Sequence, residues 1–224
     1  MLTKNIYPKI YTKIPGAENK NEMHNIFKKC LKQLKLNKVE GLLIHNQNTW
    51  GNNNTKLFAE NLIKTKKVNH IGVSIYDQKF IPEDSLASII QVPGNIFNYK
   101  LLTSKKLERF INKGGEVHVR SVFIQGLILM SPNKIPDFFS KLVTPLEVFH
   151  TFCKKHDVHP ITLSTGCIFK LMPQCKLVIG IDSVEQLDEI INKANMQVSD
   201  SIINEALKIG KQYSSSLWDP RNWS

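Results

Sequence analysis

Six short strand-like runs in this sequence each end in a residue suited to contact with a nucleotide or a carbonyl group. The end positions hold Lys13, His45, Ser74, Gln91, the pair Arg120-Ser121, and Gly180. Lysine and histidine can hold or transfer a proton beside a reacting oxygen, and amide, hydroxyl and guanidinium groups donate hydrogen bonds. Each has an ordinary explanation when taken alone, since Lys13 could be a solvated turn residue and His45 a structural histidine. Their shared position at strand ends favours one convergent site.

The elements that position these residues alternate between strand and helix. Strands are predicted at Lys9–Lys13, Gly41–His45, Asn69–Ile75, Ser88–Gln91, Glu116–Ser121 and Lys176–Gly180. Apolar residues at helical spacing predict helices over 23–34, 57–63, 107–111 and 184–191, and a further helix that ends near Lys155. A solvent loop is predicted at Gly51–Asn54.

This alternation predicts βαβ units built around a parallel sheet. An open doubly wound sheet and a closed barrel both fit the pattern. No GxGxxG motif follows the first strand, which weighs against a dinucleotide-binding open sheet.

The length of the chain supports one domain. It has 224 residues, of which 42% are hydrophobic, and a chain of this size buries roughly 70% of its unfolded surface. We therefore predict a single domain over residues 1–224. A complete eight-unit α/β barrel takes about 250 residues, so this chain is slightly short for one.

The net charge of +11 raises the question of nucleic-acid binding. Nearly all basic residues are lysines, since arginine occurs only at 109, 120 and 221. They are spread over every predicted helix and form no block with aromatic residues. We therefore predict no nucleic-acid partner, and the alternative of a basic nucleic-acid binder rests on charge alone.

The cysteines and the first residues favour a cytoplasmic protein without a metal. The four cysteines, at 30, 153, 167 and 175, form no CxxC pair and have no histidine at metal-finger spacing. We therefore predict reduced thiols and no metal site. Residues 1–6 lack an apolar signal core, and no run approaches the ~20 apolar residues of a membrane span, so no membrane partner is expected.

Longer motifs around the strand ends are more specific than the end residues themselves. In chain order they read IYTK (10–13), GLLIHN (41–46), IGVSIY (71–76), IIQVPGN (89–95), VRSVFIQGL (119–127) and VIGIDSVEQL (178–187). Their order and spacing resemble the aldo-keto reductases over almost the whole chain. Within that family they look most like small bacterial members from sugar and polysaccharide gene clusters.

The resemblance implies a (β/α)8 TIM barrel that reduces an aldehyde or ketone with NADPH or NADH. It makes Lys13 the catalytic lysine and His45 the catalytic histidine, and it assigns Ser74 and Gln91 to the nicotinamide carboxamide. In the family, the lysine lowers the pKa of a tyrosine that acts as general acid, because a nearby cation favours the phenolate.

The same resemblance implies a cofactor site on two later segments. Beside the pyrophosphate it places Arg120, Ser121, Phe123, Gln125 and Gly126. In the adenosine-phosphate pocket it places Gly180, Asp182, Ser183, Gln186 and Glu189. Gly180 could also be only a tight turn, and Ser183 only a helix N-cap. The family favours NADP, but Gln186 stands where many NADP-using relatives carry an arginine, which weakens NADP against NAD.

Two members of the family's catalytic group have no match in these residues. The tyrosine and its aspartate precede the lysine strand in the family, and Tyr11 would lie one layer deeper in the barrel than Lys13. We therefore expect an incomplete barrel of about six βα units that lacks the first two, with impaired activity. The alternative is a non-catalytic remnant, or a nucleotide-binding or interaction protein. Open barrel edges favour self-association or a complementing N-terminal fragment as partner.

Overall fold

Strands and helices alternate along most of the chain. A computed structural model describes residues 8–223, which contain six strands and seven α-helices. The strands are β1 (Tyr11–Ile14), β2 (Val39–Ile44), β3 (Val68–Ser74), β4 (Ile89–Pro93), β5 (Glu116–Arg120) and β6 (Lys176–Val178). The helices are α1 (Lys20–Leu34), α2 (Asn53–Lys64), α3 (Lys105–Asn112), α4 (Ser140–Lys155), α5 (Pro160–Leu171), α6 (Val184–Ala194) and α7 (Asp200–Gln212).

The six predicted strands are confirmed, with ends that differ from the prediction by at most two residues. The larger differences concern the helices. Helices α5 and α7 are missing from the prediction. Most residues of α5 are buried, so it lacks the one-sided apolar stripe that marks a surface helix. The loop predicted at Gly51–Asn54 is wrong in its second half, because α2 begins at Asn53. The Asn52 side chain caps that helix by accepting a hydrogen bond from the backbone N–H of Asn54.

None of the described helices has the length and apolar character needed to cross a membrane. Residues 1–6, where the sequence predicts no signal core, lie outside the described residues. The absence of a signal core and the cytoplasmic location therefore stay predictions.

Packing divides the chain into two compact units, one of residues 8–91 with 105–117 and one of residues 92–104 with 118–223. In the first unit β1 pairs with β2, β2 with β3, and β3 with the first part of β4, and every pairing is parallel. The register places Lys13 opposite Leu43, and Ser74 opposite Gln91. The single domain over residues 1–224 stays a prediction.

The core of the first unit lies between its sheet and helices α1 and α2. The ring of Phe58 on α2 is fully buried and meets the ring of Phe27 on α1 edge-on, with 6.4 Å between centroids. Within the sheet, β3 and β4 approach each other closely at Gly72. A Cβ atom at that position would lie 1.6 Å from the carbonyl oxygen of Ile89, so only glycine fits there.

The second unit contains the parallel pair β5 and β6 and helices α4 to α7. Helix α5 packs against both α6 and α7. The backbone N–H of Gly94 donates to the carbonyl of Arg120 at 2.9 Å, which joins the segment after β4 to the end of β5. The rings of Phe97 and Trp218 stack with 4.1 Å between centroids, and both residues are fully buried. The fold class is thus α/β with parallel strands, as predicted.

The four cysteines are free thiols. Cys153, Cys167 and Cys175 are buried, and Cys30 is half-buried. Burial raises the pKa of Cys153 and Cys167 to about 12, so both stay protonated and unreactive at neutral pH.

Candidate active site

Lys13 and Gln91 meet on one face of the first unit's sheet, although they belong to β1 and β4. The Nζ of Lys13 donates a hydrogen bond of 2.8 Å to the Oε1 of Gln91. Gln91 is buried, with 4% of its surface exposed, whereas Lys13 is exposed. A hydrogen bond from an ammonium group is stronger than one between neutral groups. It orients the Gln91 amide so that the NH2 group points away from Lys13.

Ser74 ends β3 directly opposite Gln91. Its side chain is fully buried, and its Oγ has no hydrogen-bond partner among the described residues. An unsatisfied buried hydroxyl costs about 1–3 kcal/mol, and such a group is a natural donor or acceptor for a ligand. The residues of this part of the sheet therefore fit the amide group of a nicotinamide ring.

His45 follows the last residue of β2 and is exposed. Its backbone N–H donates to the carbonyl of Ile14 at 2.8 Å, so the chain passes close to the end of the Lys13 strand. Tyr11 lies at another level, because its ring packs over Gly41 and faces the ring of His70 at 6.5 Å. Tyr11 is opposite Gly41, whereas Lys13 is opposite Leu43, two residues beyond Gly41 along β2. The two side chains therefore lie at different levels of the sheet.

The second unit contains a cavity of about 390 Å³. Its walls are the segment 121–126 after β5 and the segment 178–186 from the end of β6 into α6, with Leu129 and Ile190. Seven of the ten residues predicted at 120 and beyond for the cofactor line it, namely Ser121, Phe123, Gln125, Gly126, Gly180, Asp182 and Gln186.

The cavity wall after β5 has a strained backbone. Ser121, Ile124 and Gln125 have φ values of 63°, 51° and 53°, in the left-handed region, and Gly126 follows with φ 86°. Side chains with a Cβ branch rarely adopt this conformation, which makes Ile124 the most unusual of the three. Strain of this kind costs on the order of 1–3 kcal/mol per residue and clusters at ligand sites.

The other three predicted cofactor residues beyond β4 do not line the cavity, although two of them contact residues that do. The Oγ of Ser183 accepts the backbone N–H of Gln186 at 3.1 Å, which is the helix-cap role that the sequence left open. Glu189 Oε1 lies 3.8 Å from His159 Nε2. Arg120 Nη1 donates to Ser121 Oγ at 3.4 Å, so Arg120 borders the wall through its neighbour.

Arg120 also acts on a carboxylate near the end of the chain. Burial alone raises the pKa of Asp219, but hydrogen bonds from Arg221 and the charges of Arg221 and Arg120 together hold it below the usual value. Asp219 is therefore ionised at neutral pH and offsets part of the positive charge of Arg120.

Six apolar residues complete the cavity lining, and the sequence-based prediction does not include them. They are Val122, Ile124, Leu129, Val178, Ile179 and Ile190. Four of them lie within the motifs at 119–127 and 178–187, but an apolar residue next to a strand end looks like an ordinary core residue. A largely apolar wall with a few polar groups is typical of a cofactor cavity.

Comparison with known proteins agrees with this architecture. The sequence profile described as "Aldo/keto reductase family" matches residues 4–210, and no curated protein matches the sequence. The chain therefore belongs to the aldo/keto reductase family. Family and fold together support an oxidoreductase.

Two solved structures illustrate the shared fold. The aldo-keto reductase AKR11C1 from Bacillus halodurans, in its holo form, is 15% identical and superimposes with a TM-score of 0.72 over 92% of this chain and 73% of that chain. The glycerol dehydrogenase AKR11B4 from Gluconobacter oxydans is 15% identical, with a TM-score of 0.70 over 88% of this chain and 66% of that chain. The predicted family and the predicted α/β fold of six parallel strands are both confirmed.

Proposed function

We propose that this chain binds a reduced nicotinamide cofactor and has the site of an enzyme that reduces small aldehydes or ketones. One observation carries the proposal: residues predicted for the cofactor from motifs some 60 positions apart line one cavity in the second unit. The family membership supports the reaction class. The substrate class that we propose, sugar-like carbonyl compounds, follows from the branch that the motifs resemble.

The polar groups of the first unit have separate roles in this proposal. When bound, the reduced cofactor supplies a hydride to the carbonyl carbon. The carbonyl oxygen then gains negative charge, which a nearby cation or proton donor must stabilise. We assign this task to the ammonium group of Lys13 and the imidazole of His45, and the orientation of the carboxamide to Ser74 and Gln91.

We further propose that the 224-residue chain turns over slowly. Its sequence has no match for the family's tyrosine or for the aspartate that pairs with the lysine. Loss of a positioned proton donor lowers a rate by about 10²–10⁴-fold. A protein that binds the nucleotide without catalysis is the second candidate, and the missing donor is the observation that favours it.

The test begins with binding, followed by turnover. The purified chain is titrated with NADH and NADPH by fluorescence, and a thermal melt is recorded on the same sample. Consumption of the cofactor is then measured with short aldehydes and sugar-like carbonyl compounds, with and without a polypeptide that carries the family's tyrosine motif. Binding without turnover under both conditions supports the second candidate, and the absence of binding to either cofactor overturns the proposal.

A variant of Ser74 separates a role in binding from a role in folding. Ser74→Ala removes a buried hydroxyl that has no hydrogen-bond partner among the described residues, so we expect the ligand-free chain to melt at the same or a higher temperature. The same change should weaken cofactor binding several-fold, because the lost hydroxyl has a partner only in the complex. Ser85→Ala, at an exposed position in the same unit, is the matched control and should change neither quantity.

A further inference from the structure

The charges along one wall of the cavity are unusual for so basic a chain. Between Lys176 and Lys193 the sequence has no lysine, arginine or histidine, and its four charged residues are Asp182, Glu185, Asp188 and Glu189. This stretch includes the end of β6 and most of α6. Among the described residues that line the cavity, none is cationic and Asp182 is the one carboxylate.

The local structure holds this negative wall in place. Gln186 Oε1 accepts the backbone N–H of Asp182 at 2.7 Å, so the amide closes the turn that leads into α6. Hydrogen bonds from its own backbone N–H and from the Ser183 hydroxyl hold the pKa of Glu185 below its usual value. The carboxylate of Glu185, next in sequence to the lining residue Gln186, is therefore ionised at neutral pH.

The two nicotinamide cofactors differ by one phosphate on the adenosine ribose. A phosphate monoester carries about −1.5 to −2 charge at pH 7. In dinucleotide-binding motifs a nearby arginine accommodates that phosphate, whereas a carboxylate accepts a hydrogen bond from the free ribose hydroxyl. On the basis of the proposed function, we infer that this cavity selects NADH over NADPH, and that Asp182 and Gln186 determine the selectivity.

The nearest cation along the other wall does not reverse this selectivity. Arg120 borders the cavity through Ser121, in the segment that the family resemblance places beside the pyrophosphate. Both cofactors carry the pyrophosphate, so a contact there favours neither. The family resemblance places the adenosine ribose at the wall formed by 178–186, where a ribose phosphate would meet Asp182 and no cation among the described lining residues.

Three variants of the full chain test the inference through binding measurements. NADH and NADPH are titrated separately by fluorescence at two salt concentrations, with 5′-AMP and adenosine 2′,5′-bisphosphate as competing probes of the adenosine end. The variants are Gln186→Arg, Asp182→Asn, and Gln174→Arg as a control at an exposed position outside the cavity. Circular dichroism verifies that each variant is folded.

We expect the unaltered chain to bind NADH at least 10-fold more tightly than NADPH. Gln186→Arg should tighten NADPH binding about 10-fold with little effect on NADH, and this gain should shrink at high salt because charge pairs are screened. Asp182→Asn should weaken NADH and tighten NADPH binding, while Gln174→Arg should change neither. If the unaltered chain binds NADPH as tightly as NADH or more tightly, the inference about selectivity is wrong but the proposed function stands. If the chain binds neither cofactor, both the inference and the proposed function are wrong.

Discussion

At the scale of single residues, the contact between Lys13 and Gln91 joins two strands of the candidate site. The ammonium group of Lys13 donates a hydrogen bond to the neutral amide of Gln91. Gln91 is in turn buried beside Ser74. The lysine is therefore connected directly to the residues that we assign to the cofactor amide.

The contact between Lys13 and Gln91 can be measured by a double-mutant cycle. Lys13→Met, Gln91→Leu and the double variant are unfolded with urea, and the coupling free energy is calculated from the four values. We expect about 0.5–3 kcal/mol, at the lower end because the Lys13 side chain is exposed. Lys29→Met on the exposed face of α1 is the control and should show no coupling with Gln91→Leu. Additive effects would show that the contact contributes nothing to stability.

At the scale of elements, the close approach of β3 and β4 brings Ser74 and Gln91 together. Gly72 lies two residues before Ser74 and opposite Ile89. Any side chain there would separate the two strands, and the separation would extend to the site residues at their ends.

Substitution of Gly72 tests this dependence. Gly72→Ala places a Cβ atom 1.6 Å from the Ile89 carbonyl oxygen, so a backbone shift is unavoidable. We expect a loss of about 1–3 kcal/mol or more in the free energy of unfolding, measured with urea. Gly51→Ala is the matched control, because a Cβ atom at that position would have no other atom within 4 Å. Equal stability of the two variants would contradict the close approach.

His150 on helix α4 forms a hydrogen bond with Ile128, which follows the cavity wall formed by 121–126. Because histidine titrates near neutral pH, this contact makes stability depend on pH. Burial lowers the pKa of His150, and its hydrogen bond to the carbonyl of Ile128, 3.1 Å away, only partly opposes the shift. The unfolded chain, with a histidine pKa of about 6.5, therefore binds a proton more readily than the folded chain. The stabilisation is present above that pH and is lost as the pH falls towards the lowered folded value.

The lowered pKa of His150 gives a prediction for the pH dependence of stability. The free energy of unfolding should fall between pH 7 and pH 5, and His150→Gln should reduce the slope over that range. Urea unfolding at several pH values measures both. His45→Gln, at an exposed position, is the comparison, and an unchanged slope in His150→Gln would assign the pH dependence to other groups.

At the scale of the whole molecule, charge is abundant but unevenly distributed. The chain carries a net charge of +11, yet the stretch that lines one wall of the cavity is acidic. The lysines elsewhere are spread over the helices and form no block with aromatic residues, and a scattered charge of this kind does not mark a specific polyanion site.

We therefore expect weak binding to nucleic acid that depends on low salt. Fluorescence anisotropy with labelled single-stranded and double-stranded DNA should show no binding at about 150 mM salt, since nucleic-acid binders with several phosphate contacts lose affinity steeply over this range. A complex that persists at that salt concentration would show that the sequence-based exclusion of nucleic acid is wrong.

The sequence by itself determined the order of the elements and the family. Strand runs and their end residues are local patterns. The motifs around Lys13, His45 and Gln125 can likewise be recognised without knowledge of the tertiary contacts. The buried helix α5 was not predicted, because its apolar residues are not confined to one face.

The tertiary structure decided which candidate residues share a site. It brought Gln91 to Lys13 across 78 positions of sequence. It set Gln186 and Gly126 around one cavity, whereas Ser183 caps α6 and Glu189 lies beside His159, so neither lines the cavity. These outcomes depend on contacts between segments that are distant in the chain. Local patterns record which residues could do chemistry, but only packing determines which of them meet.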